Sequence, residues 1–289
     1  MLAFSPVALI GRQNSSKSTE LLNQLGRSLA ERGCEVLVEQ STADVNSVTG
    51  FPVVDFAGIA ARARLAVVLG GDGSMLSAAR HLAPHNVPLV GVNQGRLGFM
   101  TDIAQDTTLE AMGEVMNGRY TVEDRTMLSA EVLREDKSVF GTMALNDVVV
   151  SKGTVGRLIE FLIHIDGEFV YDLRSDGLIV ATPTGSTAYS LSSNGPILHP
   201  SLTGLVLVPI SPHTLSNRPI SVSDSSRIVL TLRHGVDAQL HFDGQPQFEL
   251  RAGDRVAIRR ADHTIRFVHP PGYSYFAMLR QKLHWSEMY

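Results

Sequence analysis

The stretch Leu65-Ala66-Val67-Val68-Leu69-Gly70-Gly71-Asp72-Gly73-Ser74 runs from five apolar residues straight into a glycine-rich turn. Behind it Met75, Ala78, Ala79 and Leu82 recur at helical spacing until Pro84, which cannot continue a helix. An unbroken apolar run of this length reads as a buried strand, so the segment is a strand, a turn and a helix in succession. The same alternation extends to both sides. Val7-Ala8-Leu9-Ile10 reads as a strand, and Leu21, Leu22, Leu25 and Leu29 then share one helical face that closes at Gly33. Glu35 to Glu39 and Pro88 to Val92 read as further strands. Strands alternating with helices predict an α/β domain with a mostly parallel sheet over residues 1–119.

Beyond about residue 120 the helical period disappears, and short β-rich runs separated by turn signals predict an all-β, sandwich-like domain over 120–270. Asp166-Gly167 and Asp243-Gly244 each stand between apolar runs, the strongest short-range hairpin signal. After Pro270-Pro271-Gly272, helical spacing returns at Tyr275, Phe276, Leu279 and Leu283, which predicts a terminal helix packed on a neighbour.

Composition narrows the class. Of 289 residues 44% are apolar and 19% charged, the balance of a globular protein with two ordinary domains. A formal charge of −4 excludes a protein that holds nucleic acid mainly by neutralising phosphates. Cys34 is the only cysteine, so neither an intramolecular disulfide nor a Cys-based zinc site can form, and a reducing compartment is expected. The opening residues lack the charge and the apolar core of a signal peptide, and no run reaches membrane-spanning length. The expectation is a cytoplasmic protein with no membrane partner. No H-E-x-x-H occurs, and a structural metal is not expected.

The turn Gly70-Gly71-Asp72-Gly73-Ser74 carries the first chemistry. A glycine-rich turn between a strand and a helix lets backbone N–H groups approach phosphate oxygens, which predicts a cradle at Gly70, Gly71, Gly73 and Ser74. A carboxylate in its middle repels phosphate, so Asp72 points to a proton acceptor for an attacking hydroxyl or to a partner for a metal ion. The alternative is that Asp72 only caps a helix beginning at Ser74. Leu76 stands where a third glycine would complete a dinucleotide fingerprint. A second loop, Gly11 to Ser18, looks like a Walker A loop in which Ser16 replaces the second glycine, and is read as a polar loop before a helix.

Three more segments stand out: Asn93-Gln94-Gly95-Arg96-Leu97-Gly98-Phe99, Leu145-Asn146-Asp147-Val148-Val149, and the run from Asp176 to Ser190 containing Thr182-Pro183-Thr184-Gly185-Ser186-Thr187. Asn146 and Asp147, an amide beside a carboxylate, can take both hydroxyls of a ribose, or can simply form a β-turn. Thr187 to Ser192 offers hydroxyls, backbone amides and the ring of Tyr189 to an adenine and its ribose, or caps a helix.

Together with the glycine loop, in this order and at these separations, the segments resemble the bacterial NAD kinases over nearly the whole chain. The resemblance implies transfer of the γ-phosphoryl group of ATP, or of polyphosphate, to the 2′-hydroxyl of the adenosine ribose of NAD. It implies that Asp72 is the catalytic base and that Asp72, Gly73, Phe99, Asn146 and Asp147 meet NAD. Further NAD contacts are implied for Thr187, Ala188, Tyr189, Ser190, Leu191 and Ser192, and for Arg157, Arg174, Asp176 and Gln245. In the family the second member of the Asn146-Asp147 pair is frequently the longer glutamate. Without the resemblance, Arg157 and Arg174 read as solvated charges and Phe99 as core. Mg²⁺ brought by the triphosphate, a homodimer or homotetramer, NAD bound between the domains and a terminal helix (271–289) returning to the first domain are implied as well. Two rivals remain: another kinase with a G-G-D-G loop, acting on a sugar phosphate or lipid, and a sensor that binds NAD without turning it over.

Overall fold

Buried parallel strands organise the first part of the chain in the computed structural model, which describes residues 2–11, 16–95, 98–153, 158–213, 216–235 and 237–285. In order come β1 (Val7–Gly11), α1 (Ser16–Glu31), β2 (Val36–Glu39), α2 (Gln40–Val45), β3 (Val53–Val54) and α3 (Phe56–Arg62). They are followed by β4 (Leu65–Gly70), α4 (Asp72–Leu82), β5 (Leu89–Asn93) and α5 (Thr108–Met116). The strands lie parallel in the order β3-β2-β1-β4-β5. Every residue of β1, β2, β4 and β5 is buried, which is why their sequences are apolar apart from Glu39 and Asn93 at the ends of β2 and β5. Leu21, Leu22, Leu25 and Leu29 of α1 share a core with Val7, Leu9, Leu65, Val67 and Leu69. Each such side chain contributes roughly 1.5–3 kcal/mol by leaving water.

The short helices α2 and α3 start on side-chain caps. The Glu39 carboxylate accepts the Ser41 and Thr42 amides, and Asp55 accepts the Gly58 amide. The strand order reverses between β1 and β4, and ligands of open α/β sheets bind beyond the carboxyl ends of the strands at such a point. In the β4–β5 register Gly70 pairs with Asn93, so the loops leaving these two strands start side by side.

The second part is built of antiparallel strands: β6 (Thr121–Arg134), β7 (Lys137–Ala144), β8 (Asp147–Ser151), β9 (Ile159–Ile165), β10 (Glu168–Ser175) and β11 (Gly177–Ala181). After α6 (Tyr189–Ser192) come β12 (Gly204–Ile210), β13 (Ile220–Ser223), β14 (Ile228–His234), β15 (Ala238–Phe242), β16 (Gln245–Leu250) and β17 (Arg255–His269). One sheet runs β13-β12-β11-β8-β15-β16, and in another the strands follow as β10-β9-β14-β17. Val148, Leu178, Val180 and Phe242 of the one meet Phe161, Ile163, Ile228 and Ile258 of the other in a single core, as in a sandwich. Ile179 and Ala181 pack on the opposite face with Val206 and Val208, so β11 is apolar throughout.

The residues of Asp166-Gly167 have φ of 53° and 85° and those of Asp243-Gly244 51° and 75°, and each pair joins adjacent antiparallel strands. Positive φ at both central residues matches the twist of the flanking strands. A third two-residue turn, Glu135-Asp136 between β6 and β7, has φ of 50° and 62° without a glycine, so nothing in its sequence announced it.

The chain divides into two units, Met1–Asp124 with Ile265–Tyr289, and Arg125–Thr264. The first includes α7 (Tyr275–Leu283), where Tyr275, Met278 and Leu279 are buried while Phe276 is 59% exposed. The buried stripe therefore follows 275, 278 and 279, and the expectation that Phe276 faces a neighbour is corrected: one step along a helix turns a side chain well off that face. Among the described residues no helix is long and apolar enough to cross a membrane.

Asp254, nearly fully buried in the second unit, receives two hydrogen bonds from Arg134, at 2.8 and 2.7 Å, and one from the Arg251 amide at 2.8 Å. Burial alone would raise its pKa, but these bonds override it and hold the carboxyl below its ordinary range. Its stabilising contribution is present above the unfolded value of about 3.9 and is lost as pH falls through the lowered folded pKa. Arg134→Ala is expected to cost about 3 kcal/mol at neutral pH by leaving a buried carboxylate unpaired, and less near pH ~3. Urea denaturation at the two pH values checks this, and equal losses would assign the effect to packing.

Candidate functional site

Helix α4 begins at Asp72, two residues earlier than the glycine loop suggested, with Gly71 extended at its N-cap and no side-chain cap. The reading of Asp72 as a cap for a helix starting at Ser74 is therefore corrected. Its carboxylate instead accepts the Phe99 amide on Oδ2 and the Met100 amide on Oδ1, both at 3.0 Å. Gly98 permits this approach: a Cβ there would lie 2.2 Å from Asp72 Oδ1 and 2.5 Å from Thr101 Oγ1. Gly71 and Gly73 face open space at the amino end of α4, where first-turn amides point outward and the dipole favours anions. The arrangement holds an acid of fixed orientation beside a surface suited to phosphate, and each acid oxygen retains capacity to accept a hydroxyl proton.

Phe99 contributes its backbone amide; its half-buried ring lies 5.7 Å from the Lys282 ammonium, so it is not a core residue. Ser74 is half-buried in the first turn of α4, its side chain against Gly70. Arg96, Leu97 and residues 12–15 of the Walker-like loop lie outside the described residues.

In the second unit Asn146 leads into β8, and Asp147 is its first residue, paired with Ala181 of β11. The alternative of a simple β-turn is thereby replaced by a strand entrance. The run after β11 lies against it: Thr182 donates its amide to Asn146 O (2.9 Å) and its hydroxyl to Leu145 O (2.5 Å). Gly185 is required there, because a Cβ would come within 2.0 Å of Asn146 O. From the β15–β16 turn, Asp243 accepts the Asn146 amide (2.7 Å) and the Leu145 amide (3.3 Å), and its own amide donates to Asp147 O (3.0 Å).

These contacts leave two acceptors wanting donors. Asn146 Oδ1 and Asp147 Oδ1 are buried without a hydrogen-bond partner, a state that costs about 1–3 kcal/mol for each group until a donor arrives. Burial, and secondarily the charge of Asp243, push the Asp147 carboxyl up to about 7. A buried acid that is both perturbed and unsatisfied is a candidate for a functional site. Sequence reading missed two groups here. Asp243 was legible only as a turn residue, and Arg125, nearly fully buried with Nη1 3.3 Å from Thr184 Oγ1, carried no motif.

Of the remaining expected contacts, Ser190 is buried with Oγ unpartnered, Tyr189 is 46% exposed, Thr187, Ala188 and Leu191 are half-buried, and Ser192 is exposed. Gln245 is exposed directly after the Asp243-Gly244 turn. Asp176 forms an ion pair with Lys152 at 2.6 Å, and Arg174, largely exposed, lies 3.4 Å from Glu160. Both flank the Gly177 end of β11, whereas Asp147 pairs with Ala181 at the other end, so roughly 15 Å of strand separates them within this chain. Arg157 lies outside the described residues.

Comparison with known proteins bears on both units. A model of the ATP-NAD kinase N-terminal domain matches residues 7–120, and one of the ATP-NAD kinase C-terminal domain matches residues 145–270. The NAD kinase of Aromatoleum aromaticum is 56% identical over 284 residues, covering 98% of this chain and 95% of that protein. The NAD kinase of Chromobacterium violaceum is 51% identical over 284 residues and covers 98% of each. Among solved structures, yeast NADH kinase complexed with NADH is similar with a TM-score of 0.90 at 26% identity, over 99% of this chain and 89% of that one. An Archaeoglobus fulgidus NAD kinase in complex with ATP shares the fold, with a TM-score of 0.73 at 23% identity over 96% and 98% of the two chains.

The Asp147 carboxyl is expected to titrate near neutrality, which carboxyl-carbon NMR on aspartate-labelled protein measures directly. Asp243→Asn removes the smaller of its two causes, so the apparent pKa should fall yet stay above the usual carboxylate range. A return to the ordinary value would show that charge, and not burial, dominates.

Proposed function

Because the chain belongs to the NAD kinase family, we propose that it transfers the terminal phosphoryl group of ATP to the 2′-hydroxyl of the adenosine ribose of NAD, giving NADP. The observation that carries the mechanism is the Asp72 carboxylate, fixed by two amides beside the open amino end of α4. In this reading Asp72 accepts the proton of the 2′-hydroxyl as its oxygen bonds to the γ-phosphorus, the bond to the β–γ bridging oxygen breaks, and ADP leaves. Loop amides from Gly71 to Ser74 offset charge on the phosphoryl oxygens. The transition state of such transfers is loose, so positioning and electrostatics supply most of the rate.

The second unit supplies ribose recognition. Hydroxyl donors from NAD would satisfy Asn146 Oδ1 and Asp147 Oδ1, the two acceptors buried without partners. Tyr189 and the hydroxyls around it would receive the adenine. Arg174 and Asp176 stand at the far end of β11 and fit a role toward a neighbouring copy in a dimer or tetramer. A Mg²⁺ ion would be held by the donor's phosphates. When bound, the ion neutralises charge on those phosphates. A cytoplasmic location belongs to the same proposal.

Incubating the purified protein with NAD, Mg²⁺ and either ATP or polyphosphate, and detecting NADP with an NADP-specific dehydrogenase, tests the reaction and its donor together. NAD binding without NADP from either donor would leave a sensor.

The two acids should separate in kinetics. Asp72→Asn is expected to lower kcat by at least ~10²-fold with little change in NAD affinity, since a general base acts in the transition state. Asp147→Ala should chiefly raise the KM for NAD, because its contacts precede the reaction. If Asp72→Asn keeps near-normal kcat while Asp147→Ala abolishes it, the assignments are reversed.

A further inference from the structure

Residues 98–103 form no helix or strand beyond an isolated bridge from Ile103 to Val92, yet their amides hold Asp72. Burial of Met100, Thr101 and Ile103 and two backbone bonds from Ile103 to β5 hold part of it, and side-chain tethers hold the rest. One lies at Phe99 and Met100, and the next side-chain tether is Asp102, two residues on. Asp102 Oδ2 lies 2.9 Å from Nδ1 of His269, at the end of β17, while its Oδ1 is buried with no partner. On its other side His269 presents Nε2 to Glu123 of β6 at 3.4 Å, an ion-pair contact longer than a good hydrogen bond. The imidazole is 3% exposed and stacks on Tyr273 at 3.7 Å with 5° between the rings.

We propose that His269 is a positioning residue for phosphoryl transfer: placed between the Asp102 and Glu123 carboxylates, it fixes the segment 98–103 whose amides grip Asp72. The proposal rests on the reading of Asp72 as the base. Without the imidazole ring, the Asp102 carboxylate would be buried with neither oxygen satisfied, and such a group is driven to move. Space for movement is at hand. A cavity of about 560 Å³ lies against Asp102, Ile103, Tyr273 and Met278 and is lined by Glu110 and Glu114 of α5 as well. Those two acids are the further charged groups on this side, and Glu114 is paired with Arg119.

The device has a direction in pH. Burial lowers the His269 pKa, but the bonds and charges of Asp102 and Glu123 outweigh it, so the net shift is upward from the ordinary histidine value of about 6.5. The ring holds both acids below that ordinary value; as pH rises through the raised one it keeps a single N–H, which can serve Asp102 or Glu123 but not both. kcat should therefore decline on the alkaline side while the KM for NAD changes little.

The test is kcat and KM for NAD across a pH series for the wild type, His269→Gln and Asp102→Asn, with circular dichroism on each. His269→Gln, which keeps a donor but no charge, should lower kcat about tenfold at neutral pH, within the ~10² that a 1 Å misplacement can cost, and should abolish the alkaline decline. In an Asp72→Asn background the same change should cost nothing further, since there is no base left to position. Wild-type kinetics with no alkaline decline in kcat, or a loss in His269→Gln that multiplies unchanged onto Asp72→Asn, would overturn the proposal. Should His269→Gln fail to fold, the wild-type profile and the near-isosteric Asp102→Asn still decide it. A normal kcat for Asp72→Asn would sink the base assignment itself, whereas an impaired Asp72→Asn beside a wild-type-like His269→Gln sinks only the role of His269.

Discussion

Two backbone amides, those of Phe99 and Met100, hold both oxygens of one carboxylate, and much of the first unit follows from keeping them there. Asp72 sits in the first turn of a helix, the place where a phosphate is drawn in, and an untethered acid there would swing with each approaching anion. The tether works because β4 and β5 are neighbours in register, so the loops after Gly70 and after Asn93 begin at the same edge of the sheet. Gly98 leaves the carboxylate room. Beyond it the chain is bound again through Asp102.

The buried acids Glu39, Asp254 and Asp147 fall into two physical conditions. Glu39 and Asp254 have their oxygens satisfied, the first by the opening turn of α2 and the second by a guanidinium, and both carboxyls are held below their ordinary range despite burial. Asp147 is as deeply buried, yet Oδ1 has no partner, the nearby charge is Asp243, and its pKa moves the other way. Satisfied acids stabilise a fold, whereas Asp147, short of a donor and raised in pKa, is suited to a partner that brings one. In a kinase whose acceptor is a ribose, hydroxyl hydrogens are what the substrate brings.

Phosphoryl transfer needs little covalent help from a protein, and the residues assigned to it sit on the most constrained parts of this one. Asp72 lies between a fully buried strand and a helix, and Asn146 is pinned by Thr182, Gly185 and Asp243 at once. Rigid placement is the contribution such a scaffold can make to a loose transition state.

The sequence by itself determined what depends on near neighbours. Continuous apolar runs gave β1, β4 and β5, period-3.6 leucines gave α1, Asp-Gly pairs gave two hairpin turns, and the G-G-D-G loop with its companion segments gave the family. Where local signals were faint, at the capped helices α2 and α3, the Glu135-Asp136 turn and the true buried face of α7, the sequence was silent or misleading. Only the tertiary structure decided how the acids are held. Asp72 meets Phe99 across 27 residues, Asn146 meets Asp243 across 97, and Asp102 meets His269 across 167. A side chain's charge and its satisfied or unsatisfied state depend on which distant groups burial brings within about 3 Å, and no local period encodes that.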